Sequence, residues 1–262
     1  MSTPGEYYRP LQLLIMSPPF SLPPVTKAYG VLCLMTTAAA YLNLFDVRFI
    51  LLSYELLLKK FQIWRLITNF FFLGPFSVYF GLRFVMLARY GVLPEKGAFN
   101  QRTADFLWMM IFGALSLLVF DLIPTVYFWR TDSVPQYQYP TLGPSLVFLN
   151  LYVWSSEVPD SRISISGVVT IKGMYLPWAM LAVDLIFGVP LKPDIMGILA
   201  GHLYYFLAVL YPLSGRKNIL KTPLFVHKFV AHWGEGAQMN SPVQPNPHAG
   251  VAFRGRSYRL NQ

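Results

Sequence analysis

A histidine inside an apolar run is costly unless it has a partner or a task, and this chain carries one in DIMGILAGHLYYF, residues 194–206. His202 follows two glycines four apart, Gly197 and Gly201. Two kinds of chemistry suit it. As a general base it could activate a serine on another apolar segment, the Ser–His arrangement of acyl transfer, and Ser145 in LGPSL is the upstream candidate. As a packing residue it could hydrogen-bond across the close helix contact that GxxxG permits. Asp184, an acid within an apolar run, either pairs in the bundle with a tyrosine or His202 or stays protonated. Trp64-Arg65 pairs an interfacial aromatic with a donor for phosphates or loop carbonyls. The single cysteine, Cys33, excludes an intrachain disulfide and a thiolate metal site, and neither metal nor cofactor is expected.

Positioning these groups falls to six apolar segments, at about residues 28–45, 66–82, 106–120, 141–154, 173–187 and 195–210. None alternates with period two and each is apolar nearly all round, which predicts helices rather than a barrel. The chain is 55% hydrophobic and only 13% charged over 262 residues, against about a quarter charged in soluble domains. Its charges cluster between the apolar runs, and 21 prolines with 16% aromatic residues fit helix ends and interfacial belts. The expected fold class is an all-α integral membrane protein with six spans. A net charge of +9 would suggest nucleic acid in a soluble protein. Here the basic residues flank apolar runs and face anionic leaflets, so no nucleic-acid partner is expected. The apolar piece at residues 11–16 is too short for a cleaved signal, leaving targeting to the first span.

Six spans put both termini on one side. With the N-terminus in the cytosol, that face gains Arg9, Lys27, Arg89, Lys96, Arg102, Arg162, Lys172 and the basic tail. The other face takes Arg48, Lys59, Lys60, Arg65, Arg130 and Lys192. The tail decides the orientation, because the loops alone divide nearly evenly. The chain then reads as a cytosolic segment over 1–27, a membrane domain over 28–212, and a cytosolic tail over 213–262. Turn formers in NSPVQPNPHAG predict that the tail is largely disordered. Apolar cores of about 14 to 18 residues rise about 21 to 27 Å as helices, short of a hydrocarbon layer of about 30 Å. Snorkelling flanks, a thinner host membrane or local thinning would absorb the deficit. YELLLKKF, residues 54–61, is amphipathic enough to lie in the interface.

Several long blocks carry a resemblance. FQIWRLITNFFFLGPFS, EKGAFNQRTADFLWMM, YLPW and GHLYYF together resemble the Derlin family, the pseudoprotease branch of the rhomboid superfamily, with the likeness covering most of the chain and strongest to plant members. It implies a rhomboid-like bundle of six transmembrane helices in the endoplasmic-reticulum membrane, both termini cytosolic. Working rhomboid proteases keep a nucleophile in GxSG on the fourth span and a histidine three residues before the GxxxG of the sixth. Here that position is Asp194, and the fourth span offers Gly143-Pro144-Ser145-Leu146. His202 stands eight residues beyond Asp194, about 12 Å along a helix axis, whereas a general base must approach its proton donor to about 3 Å. The dyad is out of register, so no catalytic residue is expected.

The resemblance also implies that Trp64-Arg65 is the WR motif of the first loop, holding that loop partly embedded in the lumenal leaflet. Near the C-terminus FRGRSYRL resembles an SHP box, FxGxGxxL, in which Phe253, Gly255 and Leu260 match and Ser257 replaces the second glycine. Such a box docks on the AAA ATPase called valosin-containing protein. The implied function is a non-catalytic part in ER-associated degradation: receiving misfolded proteins and easing their passage to a membrane-embedded RING ubiquitin ligase and the proteasome. ER lipids and further Derlin copies, in homo- or hetero-oligomers, complete the implied partners. The alternatives are a divergent intramembrane serine protease using Ser145 and His202, and a small-solute transporter, whose inverted repeats this sequence does not display. Two stretches depart from the family, LQLLIMSPPF at 11–20 and TVYFWRTDSVPQYQY at 125–139.

Overall fold

The computed structural model describes residues 22–130, 141–165, 169–215 and 219–232. Helix α1 spans Pro24–Tyr41 and starts on proline, whose missing N–H is one of the donors a helix start leaves unbonded anyway. A long loop follows, holding the short helix α2, Tyr54–Lys60, a single helical turn at Arg65–Thr68 and a 3-10 turn at Asn69–Phe71. Helix α3 is Val78–Lys96, and the Ser77 hydroxyl caps it by accepting from the Phe80 N–H at 3.3 Å.

This corrects the second predicted segment, expected over 66–82. The apolar run up to Leu73 is a buried loop, with Phe70, Phe72 and Leu73 in the core. Gly74 at φ +129 then breaks the chain before α3 begins. A buried apolar loop and a lipid-facing helix have the same hydropathy, so only the Gly-Pro break and the serine cap distinguish them.

The remaining helices are α4 (Thr103–Arg130), α5 (Gly143–Glu157), α6 (Leu176–Ile186) and α7 (Lys192–Tyr205). Helix α7 runs on through a π turn at Phe206–Leu210 into Tyr211–Leu213. The last described helix is α8, Leu224–Val230. Between α5 and α6 the chain forms an antiparallel hairpin, β1 (Arg162–Ile165) with β2 (Val169–Lys172), pairing Ile163 with Ile171. The all-α expectation therefore needs correction at one place. RISI and VTIK alternate β-branched and polar residues, a pattern that favours a pleated ladder.

Helix α5 is the centre of the fold. Leu146, Val147, Phe148, Leu149 and Leu151 are all buried, and α3, α4, α6 and α7 pack around it. A helix apolar all round must be enclosed or lie in lipid; this one is enclosed. The surrounding helices leave large apolar side chains outside, among them Trp178 and Ile186 on α6 and Ile195 and Leu199 on α7, and α1 does the same with Val31 and Met35. An apolar surface of that extent suits lipid rather than water. Among the described residues two helices are long and apolar enough to cross a membrane, Thr103–Ile123 and Lys192–Leu213, and Gly173–Ile186 is a shorter apolar helix.

The tail, expected to be largely disordered from residue 213, begins with ordered structure. In α8, Val226 and Val230 are buried against Ala104, Leu107 and Trp108, and the Thr222 hydroxyl donates to the Asp105 carboxylate. The i, i+4 spacing of the two valines supplies a packing stripe that turn-former counting overlooks. Phe253, Gly255 and Leu260 lie outside the described residues.

Candidate functional site

Helices α5 and α7 meet along the two glycines of GILAG. A Cβ added at Gly197 would stand 2.3 Å from the Ser145 carbonyl oxygen and 2.6 Å from the Phe148 Cβ. One added at Gly201 would stand 2.9 Å from the Tyr152 Cβ. The two backbones approach as closely as they do because neither position carries a side chain. The contact also sets the relative heights of the candidate residues. Ser145 is level with Gly197, whereas His202 lies five residues further along α7, about 7.5 Å along the axis. The structure does not bring Ser145 and His202 together. Ser145 is fully buried and its hydroxyl has no hydrogen-bond partner among the described residues. His202 Nδ1 hydrogen-bonds the Tyr152 hydroxyl at 2.8 Å, with the rings edge-on at 81° and centroids 5.8 Å apart.

Asp194, three residues before Gly197, is completely buried. One guanidinium nitrogen of Arg83 on α3, Nη2, lies 4.0 Å from Asp194 Oδ1 and 4.0 Å from Asp184 Oδ2 on α6. The other, Nη1, donates to the Leu73 carbonyl at 3.2 Å. Asp184 thus has an arginine and a second acid beside it, not the tyrosine or His202 named from sequence. A carboxylate held this far from water needs a positive partner, and Arg83 supplies one to two acids at once. Arg83 is not among the candidate residues that the sequence alone offers. The clue was an arginine between apolar neighbours in GLRFVM. A further pair closes the same end of the bundle: Lys192 at the start of α7 donates to buried Asp121 of α4 at 2.9 Å.

Arg65 is 3% exposed and works on the loop around it. Its Nη1 donates to the Leu51 carbonyl at 2.7 Å and to that of Arg48, and its Nε donates to Gln62 Oε1 at 2.6 Å. Of the two partners open from sequence, phosphate or loop carbonyl, these are loop carbonyls. Trp64 is half exposed, and its indole N–H donates to the Phe49 carbonyl at 3.3 Å. The Tyr54 hydroxyl donates to the Leu118 carbonyl at 2.9 Å, pinning α2 to α4. Burial, with the Asp121 carboxylate nearby, pushes that phenol well above its ordinary pKa. Leu58, Phe61, Ile63 and Ile67 of the same loop stay exposed, an apolar fringe beside Trp64.

A helical bundle with an apolar outer surface, membrane-length helices and a buried arginine–carboxylate cluster inside it defines a membrane-type fold. Residues 22–224 match the Der1-like family. The chain is 52% identical over 265 residues to Derlin-1.2 of Zea mays, covering 100% of both chains. To Derlin-1 of Arabidopsis thaliana it is 52% identical over 286 residues, covering 99% of each. To the probable derlin-2 homolog of Dictyostelium discoideum it is 38% identical over 206 residues, covering 79% of each. The chain belongs to the Der1-like, or derlin, family.

Proposed function

We propose that this chain is a non-catalytic, multi-pass component of the endoplasmic-reticulum membrane that works in ER-associated degradation. The six helices α1 and α3 to α7 would each cross the bilayer, with both termini in the cytosol. The observation that carries the reading is the environment of Asp194. Where a working rhomboid keeps its base there is a buried carboxylate beside Arg83, and the nearest histidine is committed to Tyr152. Among the described residues no histidine bonds the Ser145 hydroxyl, which leaves acyl transfer there without the imidazole that would take its proton. What remains is a protease scaffold whose interior is polar at one end.

The way this chain acts then follows from shape rather than bond-making. Helix α5 has 15 residues and rises about 22 Å. Helix α6 has 11, and with its preceding 3-10 turn it also rises about 22 Å. Both fall short of a hydrocarbon layer of about 30 Å, so the bilayer beside them must thin or the flanks must snorkel. A thinned patch lowers the barrier to moving a misfolded polypeptide across. The WR pair keeps the first loop folded in the lumenal leaflet, and the tail, through Phe253, Gly255 and Leu260, recruits valosin-containing protein to pull. A membrane-embedded RING ubiquitin ligase, and copies of this or other Derlins, complete the assembly.

The test is complementation. In cells stripped of their own derlins, the chain should restore degradation of a misfolded ER reporter, and Ser145→Ala should restore it equally. Failure of both to restore degradation would sink the proposal. So would loss of activity on Ser145→Ala together with disappearance of a reporter fragment cut within its span.

A further inference from the structure

Intramembrane polar side chains normally face the bundle interior, and Asp184 and Asp194 do so here. His202 does not. It is exposed on the outer face of α7, ten residues into the Lys192–Leu213 helix, about 15 Å from its start and so near mid-bilayer. The residues beside it on that face are apolar: Ile195, Leu199 and Phe206 are 45%, 54% and 45% exposed. The polar groups near it are held in place. Tyr152 fixes Nδ1 at 2.8 Å, the Ser156 hydroxyl donates to the Tyr152 carbonyl at 2.9 Å, and the Tyr205 hydroxyl donates to the Ser156 carbonyl at 3.3 Å. No described residue bonds Nε2 of His202. If Tyr152 donates to Nδ1, Nε2 carries a proton with no acceptor; in the other tautomer it carries an unfilled lone pair. Lipid tails satisfy neither.

We propose that the outer face of the α5–α7 seam recognises membrane spans carrying an unpaired hydrogen-bonding side chain at mid-bilayer depth, with His202 Nε2 as the partner and Leu199 and Phe206 packing on either side of it. The occupant is a partner helix bearing an amide or hydroxyl, because such groups both donate and accept and so satisfy either tautomer. A second copy of this chain fits less well. A two-fold contact sets identical groups face to face, and two His202 rings would bond only by adopting opposite tautomers. The inference rests on the membrane-spanning reading above and gives it a substrate class: spans whose polar residue lacks the partner it would meet in a finished assembly.

The experiment uses the intact chain in phosphatidylcholine vesicles with a dye-labelled model helix of leucines carrying one asparagine at its midpoint, read by energy transfer. The all-leucine helix should bind roughly fivefold more weakly than the asparagine helix, about 1 kcal/mol. His202→Leu should erase the difference, and so should moving the asparagine to the helix end, which leaves the protein itself unaltered. Equal binding of the two helices overturns the proposal, as does an asparagine preference that survives His202→Leu. Energy transfer between labelled copies of the chain that is lost in His202→Leu would reassign the face to self-association. Because vesicle binding is read without degradation, it separates the two readings. A chain that restores reporter degradation but ignores the asparagine refutes only this inference, and one that binds the asparagine helix but restores no degradation refutes only the function above.

Discussion

Gly197 and Ser145 touch backbone to backbone: the carbonyl oxygen of Ser145 occupies the space where a Cβ on Gly197 would fall, 2.3 Å away. A side chain could be moved aside, but a main-chain carbonyl in a central helix cannot. Gly197→Ala should therefore destabilise the protein by about 1–3 kcal/mol. Gly201→Ala should cost less, since the atoms it meets first are the Tyr152 Cβ and Cδ1 at 2.9 and 3.0 Å. Gly81→Ala, with nothing within 4 Å, should be neutral or slightly stabilising in a helix. Detergent-unfolding midpoints of the three variants check the order, and a Gly197→Ala midpoint equal to that of Gly81→Ala would refute it.

Removing the Ser145 hydroxyl should do no harm. It is a buried polar atom without a partner among the described residues, so Ser145→Ala relieves a desolvation cost and should shift stability by about 0 to +1 kcal/mol. A loss above 1 kcal/mol in the same unfolding assay would mean the hydroxyl has a bond that the geometry does not display.

Arg65 should tolerate neither truncation nor conservative exchange. Its guanidinium serves the carbonyls of Leu51 and Arg48 and the side chain of Gln62 together. Arg65→Ala leaves three part-buried acceptors without their donor, at about 1–3 kcal/mol, and Arg65→Lys lacks the fork to reach them all. Trp64→Ala, at a half-exposed position, should cost less. Protease clipping of the first loop in sealed microsomes opened by mild detergent should rank Arg65→Ala and Arg65→Lys above Trp64→Ala, with wild type lowest. Equal clipping of Arg65→Lys and wild type would contradict the fork argument.

The Arg83 cluster predicts a rescue. Arg83→Leu strands Asp184 and Asp194 without their cation and should cost about 3–5 kcal/mol. Adding Asp184→Asn and Asp194→Asn removes the charges that needed it and should recover more than half of that loss. Additive damage in the triple variant would show that the three residues are energetically independent.

For the tail, pull-down of valosin-containing protein should fall at least tenfold with Phe253→Ala or Leu260→Ala, and rise with Ser257→Gly, which restores the second glycine of the box. Equal recovery from wild type and both alanine variants would remove the docking claim.

Much of the class was legible beforehand. Charge segregation and all-round apolar segments predicted helices with a lipid-facing exterior, and GILAG marked a close contact whose partner helix only the fold identifies. Three features were not legible, each for a physical reason. Helix α3 hid behind FQIWRLITNFFFLG, because burial in a loop and burial in lipid select the same residues. Its own arginines, Arg83 and Arg89, lowered the hydropathy of the stretch that is actually helical. The partners of Asp184 come from positions 83 and 194, a juxtaposition that no local spacing encodes. The exposure of His202 depends on which flank of the glycine seam faces α5, and the spacing of GxxxG leaves that open.

One end of the α1–α3 pair is far more firmly fastened than the other. At Glu95, near the last turn of α3, both carboxylate oxygens take bonds from the start of α1: the Val25 N–H at 3.0 Å, the Thr26 N–H at 2.9 Å and the Thr26 hydroxyl at 2.6 Å. At the far end, Tyr41 meets Phe76 just ahead of α3 in a tilted ring contact of 5.5 Å, with both rings more than half exposed. Charge-assisted bonds resist stretching, whereas ring contacts slide. The pair is therefore a clothes-peg with its spring at Glu95, and a force that parts the two helices should open them first at Tyr41 and Phe76.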